Sequence, residues 1–342
     1  MIGRAGGDVA DSVREPDLAA KVDFLRRPSA YPDAPRRGEA PETHMSWVFL
    51  TEQYVYKLKK PVRWDVLDFS TPELRRIDCE EEVRLNRRLA RDVYLGVRAL
   101  TLEPDGGLAL DGAGRAVDWL VHMRRLPAES MLDHRIEAGR VEEDHVRPVA
   151  RLLARFYAAA EAIPCTPQAY RERLAEGTRA DWRELLRPAF GLPGEQVSAI
   201  AKEQLAFLER RADLFEQRVR EGRIVEGHGD LRPEHICLGP EPAIIDCLEF
   251  SRDLRVLDPA DELAFLALEC ERLGAPAVGG WFLAAYAEAT GDEPPPELLA
   301  FHRAYRALRR AKIAVWHLND PDVRDPERWR RRALAYLALA GP

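Results

Sequence analysis

The sequence predicts an α+β chain, β-rich in its first part and mainly helical in its second, with the boundary near Leu126 to Met131. Before that boundary, short β-branched and aromatic runs alternate with turn residues. Beyond Pro127 the apolar residues recur at the helical period over long segments. A chain of 342 residues, 46% hydrophobic and 32% charged, also has the balance of a folded globular protein with room for a sizeable core.

Residues 1–42 carry five prolines from Pro16 to Pro41 and one apolar stretch, Leu18 to Leu25, which reads as a short helix in an irregular arm. Trp47 to Leu50 and Tyr54 to Leu58 flank a polar Thr51-Glu52-Gln53 turn and predict a β-hairpin. Ser70-Thr71-Pro72-Glu73 then combines an N-cap candidate, a proline for the first helical position and a glutamate three after the serine, so a helix should run to about Arg91. Tyr94 to Leu102, Gly107 to Leu110 and Ala116 to Leu126 read as strands of one sheet. Helices are expected over Val141–Ile163, Tyr170–Leu186, Glu195–Glu221, Leu257–Leu273, Ala277–Thr290, Glu297–Leu318 and Pro326–Leu339. Only Ile224–Val225, Ile236–Leu238 and Ala243–Ile245 look extended in that part.

Composition excludes several function classes. The longest uncharged apolar stretch, Gly274 to Ala287, is broken by Pro276, Gly279 and Gly280, so no membrane span is expected. Charges are scattered through the first 25 residues with no apolar core of a secretory signal, which places the chain in the cytoplasm. Five scattered cysteines without a CxxC pair suit neither a disulfide framework nor a structural zinc site. A net charge of −7 without a basic tract argues against nucleic acid as a partner. Residues 1–126 hold 21 basic and 21 acidic side chains and the rest 30 and 37, so the acidic excess sits in the helical part, as a solvated surface or a wall for a cationic substrate.

The densest polar constellation is His228-Gly229-Asp230-Leu231-Arg232-Pro233-Glu234-His235. Two short strands joined by the Gly239-Pro240-Glu241-Pro242 turn should bring His235 and Asp246 to the same end of a hairpin, near Asp230. Either aspartate alone is equally at home as a turn residue. Together, two carboxylates and an imidazole in one small volume make a natural divalent-metal site, because like charges that close need a cation.

HGDLRPEHICL, with IIDCLEF and DPADELAFL, resembles the aminoglycoside phosphotransferase family of small-molecule kinases, whose motifs run HGDxxxxN, IDxE and DPxxDLA. The match covers residues 43 to about 270 and implies a two-lobed protein-kinase-like fold. The implied parts are an N-terminal arm at 1–42, a nucleotide-binding lobe at 43–126 and a helical, acceptor-binding lobe at 127–342, with ATP and Mg between the lobes. By the same resemblance, Asp230 orients the acceptor hydroxyl and Asp246 holds magnesium. His235 stands where the family has Asn and is the second candidate metal ligand. Glu262 falls at the family's bracing aspartate, with Asp261 one before it, and Glu249 lies near the metal segment.

The first part carries its own signal. Lysine is scarce, six residues against 45 arginines, and Lys57, Lys59 and Lys60 are half of them. A chain that otherwise chooses arginine places compact ammonium charges here. In a kinase-like fold Lys57 would meet the nucleotide phosphates; Lys59 points to the same face of the strand. Its partner on the next helix is Glu82, which shares the apolar face of Leu85 and Leu89, whereas Glu80 projects away. Glu42 to Ser46 stands where a glycine-rich loop would be but holds no GxGxxG, so Ser46 and nearby amides are the expected phosphate contacts. The strand Trp119 to Met123 leading into Arg124 and Leu126 would meet adenine. These expectations add up to an ATP- and magnesium-dependent phosphotransferase acting on a hydroxyl of a small molecule such as a sugar, amino sugar or aminoglycoside. Two alternatives compete with it. One is a metal-dependent hydrolase using His228, Asp230, His235 and Asp246, the other a silent nucleotide-binding module.

Overall fold

A computed structural model describes residues 15–33, 35, 39–64, 67–320 and 323–341; the first fourteen residues of the arm lie outside them. The described residues divide into two compact units. The smaller ends at Arg125 and the larger takes up Leu126 onward together with Arg88–Ala90.

In the smaller unit, α1 (Leu18–Leu25) precedes strands β1 (Ser46–Leu50) and β2 (Tyr54–Lys59), which form the expected hairpin with Val48 opposite Lys57. A small ladder, β3 (Arg63–Trp64) and β4 (Leu67–Asp68), leads into α2 (Pro72–Asn86). The strands β5 (Tyr94–Leu102), β6 (Leu108–Leu110) and β7 (Arg115–Arg124) complete an antiparallel sheet of order β1-β2-β7-β5-β6. Its core joins Phe49, Tyr56, Leu58, Leu100, Val117 and Leu120 to Val22, Leu25 and Tyr31 of the arm. Buried Asp118 fastens both helices: Lys21 of α1 donates to it at 2.9 Å, and Arg75 of α2 donates twice, at 2.7 and 2.8 Å. The N-cap of α2 is Thr71, whose Oγ1 accepts the Leu74 amide, rather than Ser70, whose hydroxyl is taken by Asp68. The helix also ends at Asn86, short of Arg91.

The larger unit is helical. After α3 (Leu132–Glu137), too short to show a period in sequence, come α4 (Glu143–Ala159) and α5 (Pro167–Leu185). The single long helix expected to Glu221 is two, α6 (Gly194–Arg210) and α7 (Ala212–Arg220). Between them Arg211 leaves the helical region (φ −119°, ψ 40°) and its guanidinium takes Asp213 at 3.0 and 3.1 Å. Residues two apart do not face each other along a helix, so that contact goes with the break. Four two-residue strands follow, β8 (Val225–Glu226), β9 (Ile236–Cys237), β10 (Ala243–Ile244) and β11 (Val256–Leu257). They pair as β9 with β10 and β8 with β11. The chain closes with α8 (Pro259–Arg272), α9 (Pro276–Thr290), α10 (Pro296–Trp316) and α11 (Pro326–Leu339). One core cluster packs Leu153, Leu231, Ile236, Ile244, Leu263 and Phe282, so the strands that flank the HGD loop sit on helices α4, α8 and α9.

Candidate functional site

The loop from His228 to Asp246 is held by its own backbone. Gly229 has φ +91°, and a Cβ there would lie 3.0 Å from the Leu248 Cβ and 3.1 Å from the Arg255 Cγ, so the turn and the close approach both call for glycine. His228 is fully buried. The Asp230 amide donates to His228 Nδ1 at 3.3 Å, which puts the ring proton on Nε2, where it is donated to the Ile245 carbonyl at 2.9 Å. Burial holds the His228 pKa down at about 3. Both ring nitrogens are thus engaged and the ring is neutral, so His228 links the two halves of the loop and is not placed to join a four-ligand hydrolase metal site.

His235 behaves differently. Its Nδ1 donates to the Asp230 carbonyl at 2.8 Å, leaving Nε2 with a lone pair. That nitrogen accepts from Arg232 Nη2 at 3.0 Å and lies 3.4 Å from Asp246 Oδ2. The sequence expectation that His235 and Asp246 share one end of the β9–β10 hairpin corresponds to this contact. Asp246 has φ +60°, a left-handed conformation rare outside glycine but tolerated by aspartate. Asp246 is placed to meet a divalent ion, and the His235 Nε2 lone pair can join it where Arg232 gives up its hydrogen bond. The carboxylate fits magnesium's demand for oxygen, and the nitrogen suits a softer ion such as manganese.

Asp230 accepts from Arg232 Nε at 3.0 Å and Nη2 at 2.9 Å, both on Oδ2. Burial alone would raise its pKa; Arg232, together with His235 and Arg310, outweighs burial and holds it at about 2. Arg232 was not singled out in the sequence, although an arginine two residues after the aspartate in HGDLR was there to be read.

Beneath the loop lies α8. Glu262 accepts the His228 amide at 3.0 Å on Oε2 and the Gly229 amide on Oε1, and the Tyr157 hydroxyl donates to Oε2 at 2.7 Å. Burial raises the Glu262 pKa, opposed by these bonds. The adjacent Asp261 instead takes Arg306 at 2.7 and 2.8 Å, and Arg306 reaches the Gly229 carbonyl at 3.4 Å. The two neighbouring acids divide the work, Glu262 bracing the loop directly and Asp261 through Arg306. Glu249 contributes its carbonyl, which accepts from Arg255 at 2.9 Å.

In the smaller unit, Lys57 Nζ lies 3.0 Å from Glu82 Oε1 and Lys59 Nζ 2.7 Å from Oε2. Both lysines therefore share one glutamate. Lys59 and Glu82 have no exposed side-chain surface and Lys59 also pairs with Asp78, whereas the Lys57 side chain is 16% exposed. Ser46 is buried at the start of β1, with its amide given to Thr43 Oγ1 at 2.9 Å and its carbonyl accepting the Thr43 amide at 2.8 Å. Met123 is buried near the end of β7. The Arg124 amide donates to the Val93 carbonyl at 2.8 Å, and Leu126 is the first residue of the larger unit's main segment.

No family model matches the chain. Uncharacterized proteins of Mycobacterium tuberculosis and Mycobacterium bovis are 38% identical over 275 residues, 80% of this chain and 53% of theirs, so the chain spans about half the length of the curated relatives it matches. Among solved structures, the GDP complex of aminoglycoside 2'-phosphotransferase-IIIa is 14% identical with a TM-score of 0.54, covering 93% of this chain and 97% of that one. A choline kinase from Cryptosporidium parvum Iowa II is 10% identical with a TM-score of 0.52, covering 93% and 94%. A Plasmodium vivax ethanolamine kinase is 11% identical with a TM-score of 0.50, covering 89% and 82%.

Proposed function

The chain has the two-lobed, protein-kinase-like fold of these structures, and on it we propose an ATP- and magnesium-dependent phosphotransferase that moves the γ-phosphate to a hydroxyl of a small molecule. The observation that carries this reading is the His228–Asp246 loop: one carboxylate, Asp230, fixed by a cation, and a second, Asp246, beside the His235 imidazole. Phosphoryl transfer asks mainly for positioning and charge neutralisation.

Asp230, ionised and gripped through Oδ2, turns its other oxygen to the acceptor hydroxyl. A carboxylate with a pKa of about 2 is a weak base, so its role is to orient the hydroxyl and receive the proton late, as a loose transition state allows. Arg232 neutralises charge next to it. Asp246 would hold the magnesium, with His235 Nε2 a second donor only where Arg232 releases it, and the ion would neutralise the phosphate oxygens. Lys57, the more exposed of the two lysines on Glu82, is the phosphate contact, and Lys59 sets the glutamate. Met123 and the Arg124 and Leu126 backbone form the adenine side, with Arg124 acting through its carbonyl because its amide is used. Ser46 acts through the loop that Thr43 closes rather than through its own amide. The neighbour solved with GDP supports a nucleoside diphosphate as the product. The acceptor class is a sugar, amino sugar or aminoglycoside-like alcohol.

Release of ADP from ATP, measured across a panel of such alcohols, tests the reading. Turnover with one acceptor that disappears in Asp230→Asn supports it. Turnover undiminished in that variant contradicts the assigned mechanism.

A further inference from the structure

Apart from the loop, the larger unit contains a cavity of about 790 Å³, walled by α4, α9 and the segment before β8. That is the size of an ordinary small-molecule site. No residue from His228 to Asp246 lines it.

Its lining is cationic on a chain that is acidic overall: Arg147, Arg151, Arg155 and Arg223 against Glu221 and Glu288. Arg147, Arg151 and Arg155 follow one another at four-residue spacing on α4, where like charges disfavour a helix by a few tenths of a kcal/mol per pair. Arg147 is neutralised, by Glu143 at 2.7 Å and across the cavity mouth by Glu288 at 2.7 Å. Arg151 and Arg155 have no acidic or hydrogen-bonding partner among the described residues, and ordinary helix design would have placed a glutamate at their spacing. Across from them, Arg223 Nε is buried without a hydrogen bond, and the carboxylates near its guanidinium stand off at 3.6 Å (Glu221) and 3.7 Å (Asp292). Between the arginines the wall is small and apolar, with Ala154, Ala158, Ala160, Ala285 and Ala289.

We propose that this cavity binds an organic anion bearing phosphate groups. One arginine fork fills both oxygens of a carboxylate, whereas the oxygens of a phosphate can serve several guanidinium groups at once. Arg151, Arg155 and Arg223 offer three around one space, and the alanines leave room for the body of the ligand. The wall residue Tyr157 also donates to Glu262, so an occupant that shifts Tyr157 acts on the brace of the HGD loop. The proposal stands whether or not the chain transfers phosphate.

The test is calorimetric titration of inorganic pyrophosphate into the full chain in magnesium-free buffer, on wild type, Arg151→Ala/Arg155→Ala and Asp246→Asn. Both arginines are exposed and alanine is the better helix former, so the double variant keeps its fold. The proposal expects saturable binding that weakens at least tenfold in the double variant and is unchanged in Asp246→Asn. Absent binding overturns it, as does equal affinity in the double variant or loss in Asp246→Asn alone. Citrate, titrated in parallel, should bind at least tenfold more weakly; equal affinity would overturn the choice of phosphate.

Discussion

Arg232 grips Asp230 through two guanidinium nitrogens on a single carboxylate oxygen, at 2.9 and 3.0 Å. The grip is the largest of the contacts, His235 and Arg310 among them, that keep this half-buried carboxylate ionised down to about pH 2 when burial by itself would push it the other way. Replacing Arg232 with methionine leaves the burial and removes the cation. The Asp230 pKa then rises, and the acid limb of the pH–rate profile moves up with it. A profile whose acid limb is unmoved would show that Asp230 does not depend on this contact.

Glu262 accepts two buried backbone amides, those of His228 and Gly229. Glu262→Ala leaves both unsatisfied and should cost about 2 to 4 kcal/mol of stability. Glu262→Gln, which keeps one acceptor oxygen, should recover part of that loss. Urea unfolding of the two variants reads the difference, and equal stability of Ala and wild type would remove the brace from the account.

His122 stacks on Tyr56 with ring centroids 4.7 Å apart and 16° between planes, and burial holds its pKa down at about 4. Its ordinary value is 6.5, so the unfolded state binds the proton more readily. The stability that its neutral form supports is therefore complete above pH 6.5 and is lost as pH falls toward 4, at about 1.4 kcal/mol per pH unit and about 3 kcal/mol in all. His122→Phe keeps the stack and removes the proton. Its stability should decline less steeply than that of wild type between those pH values, in denaturant titrations at each pH.

The two lysines on Glu82 should separate. Lys59→Met leaves Glu82 to Lys57 alone and takes a cation from Asp78 in a largely buried setting, and should cost about 3 kcal/mol. Lys57→Ala, whose side chain is partly exposed, should cost about 1 kcal/mol and show its effect in nucleotide affinity instead. Thermal melts of both variants check the order.

What the sequence disclosed follows from how local each feature is. The β1–β2 hairpin, the strand Tyr94–Leu102 and the helix Pro326–Leu339 were legible because turn residues and period lie within the segment itself. The placing of His235 beside Asp246 was legible because a four-residue turn fixes it. The break at Arg211 was not, since the apolar pattern runs on through it and neither glycine nor proline marks it. Nor was the sharing of Glu82 by Lys57 and Lys59, or the division of labour between Asp261 and Glu262. Each depends on which of two chemically equivalent neighbours faces a partner far away in the chain.

The most direct test of the central claim is calorimetric titration of ATP, with and without magnesium, into wild type and Lys57→Ala. Magnesium-dependent binding that weakens at least tenfold in the variant is the result expected of a phosphotransferase built on these residues. The absence of any binding heat in wild type, with or without the metal, would contradict it.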